Sequence, residues 1–391
     1  MAFKIDTEAM TAFAQRLVRT PSPSTREEQV AALVAEEMRR VGLDEVSVDR
    51  MGNVIGRIGE ADGPKLLYDA HMDTVDVGEL SAWPHDPYCG EVRRGVLYGL
   101  GAADMKGALA AMLYGAKALV EAGRPLRGAL YIVGVVQEEP CEGLAIQHVI
   151  EADGLRPDWV LIGEATNLHV ARGQRGRIEF RIVVQGRACH ASAPERGVNA
   201  IYEAARVIVG LELLTSKLGN DSFLGRGSIA VTEISSKSPS RNAVPDHCVL
   251  YVDRRLTNGE TEAKALMEIR RVITQEGVNA TVEVSEYRDV SYTGCEVTAR
   301  QNFAPWVTAE NEPIVRNTVA VIEEVLGYAP RIGKWDFSTD GVYTAGVAGI
   351  PTVGFGPGEE RYAHTVEDHV RIKDLESAAK VYAALAARML A

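Results

Sequence analysis

Imidazole and carboxylate side chains recur along the first half of the chain, each just after an apolar segment or at the start of a predicted helix. Successive groups lie about one β-α unit apart. In a parallel sheet, the carboxyl ends of neighbouring strands share one edge. We therefore predict that one imidazole and several carboxylates converge at that edge. The residues concerned are His71, Asp73, Asp104, Glu138, Glu139 and Glu164.

This group of carboxylates favours bound cations, because the carboxylates would otherwise repel one another. An imidazole among oxygen ligands suits zinc, manganese or cobalt, and Asp104 can bridge two such ions. On an extended backbone His71 and Asp73 point the same way, so one can bind metal while the other accepts the second ring N–H. A lone histidine at a strand end is more often a satisfied polar residue, but the surrounding carboxylates favour the ligand role for His71.

The elements that must position these side chains alternate between strand and helix. Continuous apolar strands separated by helices are typical of an α/β fold, with a mostly parallel sheet and helices on both faces. The predicted strands are 65–70, 129–136, 159–163 and 351–355, and the predicted helices are 27–41, 107–123, 313–326 and 373–390.

The pattern changes between residues 177 and 288, where strands alternate with amphipathic helices. This pattern predicts a small α+β sandwich with one open sheet face. The simplest architecture is a catalytic metal-binding domain formed by residues 1–176 and 289–391, with residues 177–288 inserted as a smaller domain. In the insertion the predicted strands are 177–186, 248–254 and 280–287, and the predicted helices are 199–214 and 262–276.

The composition argues against several classes of function. The 391 residues are 46% hydrophobic and include 42 basic and 54 acidic side chains, a formal net charge of −12, so no basic face for nucleic acid is implied. No apolar stretch could span a bilayer and the N-terminus has no secretory pattern, which predicts a cytoplasmic protein without a membrane partner. The five cysteines include no C-x-x-C pair and are expected to be free thiols.

The motifs of nucleotide enzymes and serine hydrolases are also missing from the sequence. Gly99 and Gly101 begin like a dinucleotide loop, but Asp104 takes the place of the third glycine, where a carboxylate would repel pyrophosphate. The chain has no Walker lysine loop, no G-x-S-x-G elbow and no H-E-x-x-H helix.

Several motifs in a fixed order resemble one enzyme family over nearly the whole chain. They are H-M-D-T-V at 71–75, G-A-A-D-M-K-G at 101–107, the pair Glu138-Glu139, G-E-A-T at 163–166 and a late His364. The sequence resembles the co-catalytic zinc peptidases and amidohydrolases, which include aminoacylase-1, carboxypeptidase G, acetylornithine deacetylase and succinyl-diaminopimelate desuccinylase. The stretches 172–177, 189–197 and 334–341 resemble its selenium-metabolism-linked hydrolase branch.

The resemblance implies a role for each residue of the site. Two divalent ions are implied, with zinc the first expectation and manganese or cobalt as alternatives. One ion would be held by His71 and Glu164, the other by Glu139 and His364. The remaining implied roles are bridging for Asp104, support of His71 for Asp73, and general base on the attacking water for Glu138.

The resemblance also implies that the inserted domain dimerises and closes over the site. His190 would reach the oxyanion from the partner subunit of a homodimer. Asn242 and Arg255 would bind the substrate, with the guanidinium gripping a carboxylate, and the backbone N–H of Gly356 would receive a carboxylate. Arg254 is interpreted as a solvated charge, although the roles of the two neighbouring arginines could be reversed.

The sequence departs from the family pattern at three places: Leu100 before the bridging aspartate, Pro140-Cys141 after the glutamate pair, and Asp368 where a glutamate is usual. Leu100 raises a question about how the loop around Asp104 is packed. None of the departures removes an implied metal ligand.

The sequence therefore predicts a dinuclear metal-dependent hydrolase that cleaves the amide bond of a small N-acyl amino acid or related compound. A dipeptidase or carboxypeptidase of the same family is the alternative. A non-catalytic metal-binding protein on the same scaffold is a hypothesis of another class, and the presence of Glu138 argues against it.

Overall fold

The computed structural model describes residues 3–123, 125–238 and 240–391. The helices of these residues are α1 (Thr7–Arg19), α2 (Glu28–Arg40), α3 (Gly107–Glu121), α4 (Leu144–Glu151), α5 (Ala200–Leu214), α6 (Glu262–Gln275), α7 (Pro313–Leu326), α8 (Gly341–Thr344) and α9 (Ile372–Met389).

The strands run from the N-terminal part of the catalytic domain, through the insertion, and back. They are β1 (Glu45–Val48), β2 (Val54–Gly59), β3 (Lys65–His71), β4 (Glu91–Arg93), β5 (Val96–Tyr98), β6 (Ala129–Val135), β7 (Trp159–Ile162), β8 (Val170–Gln174), β9 (Gly176–Gln185), β10 (Asn220–Asp221), β11 (Gly225–Arg226), β12 (Ser228–Lys237), β13 (His247–Leu256), β14 (Ala280–Val284), β15 (Glu286–Val290), β16 (Glu296–Arg300), β17 (Asn302–Phe303), β18 (Trp306–Val307), β19 (Ile332–Trp335), β20 (Thr352–Gly354) and β21 (His369–Arg371).

The large sheet has the strand order β1-β2-β6-β3-β7-β20-β8-β18, with β19 also paired to β8. Its centre, from β6 to β20, is parallel, whereas β1, β2 and β18 pair antiparallel at the margins. Strands β3 and β6 are buried almost throughout, as strands covered on both faces must be. The predicted α/β fold with a mostly parallel sheet is confirmed.

A second sheet has the antiparallel order β12-β13-β9-β14, and the short strand β17 also pairs with β9. Residues of α5 and α6 join its strands in a separate apolar core that includes Phe180, Leu250 and Ile269. Strand β12 is an edge strand and most of its residues are exposed. A second sheet domain is therefore present.

The predicted strand over 280–287 is wrong, because the chain changes partner at Ser285. Strand β14 pairs with β9 as far as Val284, whereas β15 forms a separate hairpin with β16. The alternation of side chains changes phase at the same point: positions 280, 282 and 284 are the more buried ones before the break, and Ser285 and Tyr287 are the more buried ones after it.

The five cysteines are free. None of the helices in the described part of the chain has the length and apolar character needed to cross a bilayer. The cytoplasmic location stays a prediction.

Candidate metal centre and active site

Three adjacent parallel strands end at the edge of the sheet where the polar side chains lie. His71 is the last residue of β3 and pairs with Val135 of β6. Glu138 and Glu139 follow β6 directly, and Glu164 follows β7 on the other side of β3. The strand order therefore brings the imidazole between the two carboxylate-bearing strand ends.

The buried His71 imidazole contacts carboxylates through one ring nitrogen and backbone through the other. His71 Nε2 lies 2.9 Å from Asp104 Oδ1 and 3.3 Å from Glu164 Oε1. His71 Nδ1 lies 2.9 Å from the backbone oxygen of Asp73 and 3.6 Å from its Oδ1. The Nδ1–H group thus has acceptors on Asp73, which leaves the Nε2 lone pair on the side of Asp104 and Glu164.

His364 approaches the same cluster from the opposite side of Asp104. His364 Nε2 lies 3.1 Å from Asp104 Oδ2 and 2.9 Å from Glu139 Oε2. Asp104 therefore presents one carboxylate oxygen to each imidazole. His364 does not follow a strand; it lies just beyond the turn Glu360–Tyr362, with a left-handed φ of 57° and about half of its side chain exposed.

The loop that carries Asp104 is held by Asp368. The buried Asp368 carboxylate accepts hydrogen bonds from the N–H groups of Gly101 (2.6 Å) and Ala103 (2.8 Å). Leu100 is buried as well. The two departures at positions 100 and 368 are therefore compatible with a fixed loop around Asp104.

The electrostatics of the cluster are dominated by crowded acidic groups. Burial and the neighbouring Asp104 raise the pKa of Glu164 to about 7, and burial raises the pKa of Glu138 well above its ordinary value. Hydrogen bonds to Asp104 and Glu139 raise the pKa of His364 to about 10. Burial and mutual repulsion thus disfavour the negative charge of the two glutamates, whereas the neighbouring carboxylates favour the positive charge of His364.

The donor set fits divalent cations. The ligand atoms of His71, Glu138 and Glu164 lie within 4.8 Å of one another, as do those of His71, Asp104 and Glu139. The buried Glu138 Oε1 has no hydrogen-bond partner among the described residues. Imidazole nitrogen together with several carboxylate oxygens suits zinc, manganese or cobalt.

A cavity of about 400 Å³ opens onto this cluster. Besides the acidic residues of the cluster and His364, two guanidinium groups and two further carboxylates line it, namely Arg177, Arg255, Glu142 and Glu360. Arg177 Nη2 lies 3.2 Å from Glu142 Oε2. Sequence reasoning missed Arg177 and Glu142, although Arg177 belongs to the R-G-Q-R-G-R stretch noted for its family resemblance.

The interpretation of Arg254 as a solvated charge is wrong. Its side chain is fully buried, and its Nη2 lies 2.9 Å from Glu260 and 3.1 Å from Glu268. Neighbouring residues on a strand face opposite ways, so Arg255 lies on the other face of β13, where it lines the cavity and bonds Asp253.

Five of the predicted site residues do not line the cavity of this chain: His71 and Asp73, which are buried within the ligand cluster, and His190, Asn242 and Gly356. His190 is bridged to Ala243, and the N–H of Ala191 donates to the backbone oxygen of Asn242 (2.7 Å), so His190 and Asn242 are neighbours within the second sheet domain. Gly356 lies outside the cavity lining, and its N–H donates to Thr166 Oγ1 at 3.0 Å.

The site combines cation ligands at a sheet edge, a buried carboxylate beside them and a guanidinium that lines the same cavity, which are the groups that a metal-dependent hydrolase uses. A family model described as peptidase family M20/M25/M40 matches residues 67–388, and the chain belongs to this family. The resemblance inferred from the motifs is confirmed, and the protein is a hydrolytic enzyme. The assignment to the selenium-metabolism-linked branch stays a prediction.

The chain is similar to relatives of nearly the same length. It is 43% identical to the Escherichia coli (strain K12) protein YgeY over 98% of this chain and 94% of the relative. It is 28% identical to a succinyl-diaminopimelate desuccinylase from Alkalilimnicola ehrlichii, over 92% of this chain and 93% of the relative.

Solved structures share the fold over almost the entire chain. A tripeptidase from Staphylococcus aureus superposes with a TM-score of 0.78 at 23% identity, covering 98% of this chain and 99% of that chain. A dinuclear metal-binding M20 peptidase from Bacillus subtilis superposes with a TM-score of 0.71 at 16% identity, covering 98% of each chain.

Proposed function

We propose that the protein is a dinuclear metal-dependent hydrolase that cleaves the amide bond of a small N-acyl amino acid or a related compound. The observation that carries this proposal is that Arg255 lines the same small cavity as the imidazole–carboxylate cluster and Glu138. A guanidinium opposite the reacting groups would bind the free carboxylate of the substrate. The cavity volume of about 400 Å³ supports a small substrate.

His71 and Glu164 would hold one ion, Glu139 and His364 the other, and Asp104 would bridge them. We propose zinc, which accepts this mixture of nitrogen and oxygen ligands; manganese or cobalt would also suit it. When bound, the ions would polarise the scissile carbonyl group and make water a stronger acid.

Glu138 is the proposed acid–base residue. Burial raises its pKa well above the ordinary value for a glutamate, and its Oε1 has no hydrogen-bond partner among the described residues. The carboxylate is therefore free to take a proton from the attacking water and to return it to the nitrogen of the leaving amine. Asp73 would keep His71 in the tautomer whose Nε2 is free to bind metal.

The second sheet domain is proposed to supply the remaining groups from a partner subunit of a homodimer. His190 and Asn242 lie together, and neither lines the cavity of its own chain. In a dimer, His190 would stabilise the oxyanion and Asn242 would bind the substrate. The N–H of Gly356 would bind substrate only if its hydrogen bond to Thr166 Oγ1 broke. We therefore propose no direct contact between Gly356 and the substrate.

A dipeptidase is the second candidate function, and Glu142 is the observation that favours it. This carboxylate lines the same cavity as Arg255 and is bonded to Arg177; an ammonium would share it with that guanidinium, so the cavity provides a negative group as well as a positive group for a carboxylate. A dipeptide carries both charges, whereas an N-acyl amino acid carries only the carboxylate.

The test is hydrolysis by zinc-, manganese- and cobalt-loaded protein of N-acetyl, N-succinyl and N-carbamoyl amino acids and of dipeptides. N-succinyl compounds are included because relatives are named succinyl-diaminopimelate desuccinylase. We expect turnover of acyl amino acids and little turnover of the same compounds with the carboxylate amidated. Preference for dipeptides would select the second candidate, and inactivity towards the whole panel would contradict both.

Glu138→Gln is the control for this assay. The amide keeps the shape of the side chain but cannot accept the proton, so kcat should fall about 10²- to 10⁴-fold. Metal content, measured by elemental analysis, should stay that of the wild type. Full activity of this variant would remove Glu138 from the mechanism.

A further inference from the structure

The turn that delivers Glu138 and Glu139 is capped by two buried carboxylates. The N–H of Gln137 donates to Glu27 Oε1 at 3.1 Å. The next two N–H groups, of Glu138 and Glu139, donate to Asp73 Oδ1 (3.2 Å) and Oδ2 (3.3 Å). Three consecutive backbone donors are thus held by acceptors from outside the turn.

Gln137 shows why the turn needs such acceptors. Its φ of 53° lies in the left-handed region, which a residue with a side chain rarely adopts unless its surroundings fix it. Its side-chain Oε1 accepts a hydrogen bond from Tyr287 Oη at 2.8 Å. The conformation that aims Glu138 and Glu139 is therefore maintained by groups distant in sequence.

The segment before α2 connects this turn to the end of β3. Ser24 Oγ donates to Asp73 Oδ2 at 2.6 Å, and Glu27 Oε1 also accepts the N–H of Thr25 at 2.9 Å. One short segment therefore bonds both to the aspartate beside His71 and to the turn that carries Glu139. The segment with Ser24 and Glu27 therefore supports the ends of both β3 and β6, the strands that lead to His71 and to Glu139.

Glu27 is the residue of this segment whose acidic side chain is buried without a cationic partner among the described residues. Its side chain is fully buried, and no arginine or lysine forms an ion pair with it among the described residues. Burying a carboxylate without a cationic partner destabilises the folded state. The presence of Glu27 at this position therefore needs a compensating role. The N–H bonds from Gln137 and Thr25 are the contacts that the structure offers for that role.

We propose that Glu27 is a positioning residue, which acts through Gln137 to hold Glu138 and Glu139 where they face His71 and His364. The inference rests on the proposed function only in the roles of Glu138 and Glu139. Without the Glu27 acceptor, the Gln137 N–H would lose its partner and the turn would relax, which would move Glu139 away from His364.

The test compares Glu27→Ala, Glu27→Gln and the matched control Glu37→Ala. Glu37 is also a fully buried glutamate of the α2 region, but it bonds Arg40 and Tyr114 away from the cavity. For Glu27→Ala we expect the affinity for the weaker of two zinc ions, measured by chelator competition, and kcat each to fall about 10- to 100-fold. KM should stay unchanged.

The conservative variants separate positioning from a general loss of stability. Glu27→Gln keeps a carbonyl oxygen as acceptor and should restore zinc affinity and kcat to within a few-fold of wild type. Glu27→Asp withdraws the acceptor by one methylene and should give intermediate losses, which can be measured if Glu27→Ala does not fold. Glu37→Ala should lower the thermal midpoint without changing zinc affinity or kcat.

Wild-type zinc affinity and kcat in both Glu27→Ala and Glu27→Asp would overturn the proposal, as would equal losses in Glu37→Ala. Zinc competition does not depend on any substrate. If wild type hydrolysed no amide while Glu27→Ala still lost zinc affinity, the proposed function would fail and the positioning role of Glu27 would stand.

Discussion

At the scale of single residues, Arg254 and Arg255 show how one strand serves two purposes. Arg254 neutralises Glu260 and Glu268 inside the second domain, whereas Arg255 lines the cavity. Arg254→Met would leave those carboxylates without their partner and should lower the free energy of unfolding by about 3 kcal/mol. Arg255→Gln should leave stability unchanged and raise KM about tenfold or more for acyl amino acids, because a charge-assisted contact to the carboxylate is lost.

Urea unfolding and steady-state kinetics on the two variants test this division. A KM effect in Arg254→Met equal to that in Arg255→Gln would show that the roles of the two arginines are shared or reversed. Amidated substrate provides the internal control, since its KM should be insensitive to Arg255→Gln.

The site residues differ in how readily they can be predicted from the sequence. His71, Asp104 and Glu164 follow strand or helix boundaries that local hydrophobicity marks, and the structure brings them together. Arg177 and Glu142 meet only because the second domain packs against the turn after β6, and no local pattern encodes that contact. Arg254 was misread because its acidic partners lie on a following loop and helix.

At the scale of elements, the limits of a helix or strand are predicted correctly where the apolar residues of that segment alone define it. Helix α7 and strands β3 and β6 begin and end within a residue or so of the predicted limits, because each is apolar on the side it buries. Strand β12 is not predicted by the sequence pattern. Most of its residues are exposed, and within the described part of the chain it has a strand partner on one side only, so it lacks the alternation of a buried strand.

The crowding of imidazole and carboxylate side chains at the sheet edge should make stability depend on pH in the metal-free protein. Folding raises the pKa of Glu164 from 4.5 to about 7 and that of His364 from 6.5 to about 10. A raised pKa contributes stability that is complete below the unfolded value and is lost as pH rises through the folded value. The free energy of unfolding of chelator-treated protein should therefore fall from pH 5 to pH 9.

Metal reverses this dependence because it competes with protons for the same lone pairs. Urea unfolding of manganese-loaded and chelator-treated protein at several pH values should give curves that diverge as pH rises. His364→Gln should make the fall of the metal-free curve above pH 6.5 shallower but not abolish it, because the pKa values of His71 and Asp368 are raised as well; the fall between about pH 4.5 and 7 should remain. A metal-free protein that gains stability from pH 5 to pH 9 would contradict the proposed charge balance.

At the scale of the whole molecule, we propose that the homodimer forms through the second sheet domain. Among the residues that the structure describes, the edge strand β12 has backbone groups without a strand partner on one side. On α5, Tyr202 is 69% exposed and Leu213 is 63% exposed, and His190 lies in the same domain. Exposed apolar side chains beside an open strand edge fit a second copy of the chain.

Cross-complementation tests the dimer together with the origin of His190. His190→Ala should lower kcat about 10²- to 10³-fold by removing an oxyanion donor, and Glu138→Gln should inactivate its own chain. In a mixed dimer, the His190→Ala chain keeps Glu138 and would receive His190 from its partner. Random pairing in a co-expressed sample should then restore about a quarter of wild-type activity, because half of the dimers are mixed and each has one complete site.

Light scattering on the wild type should give twice the mass of one chain, and Leu213→Glu should lower that mass by placing a charge on the α5 surface. The same substitution in both co-expressed chains should abolish the recovered activity. Two results would show that His190 does not act across a subunit boundary. The first is recovered activity in a co-expressed sample that is monomeric, and the second is a co-expressed sample that is dimeric but inactive. The second result would leave the dimer intact and assign the oxyanion contact to a group within the chain.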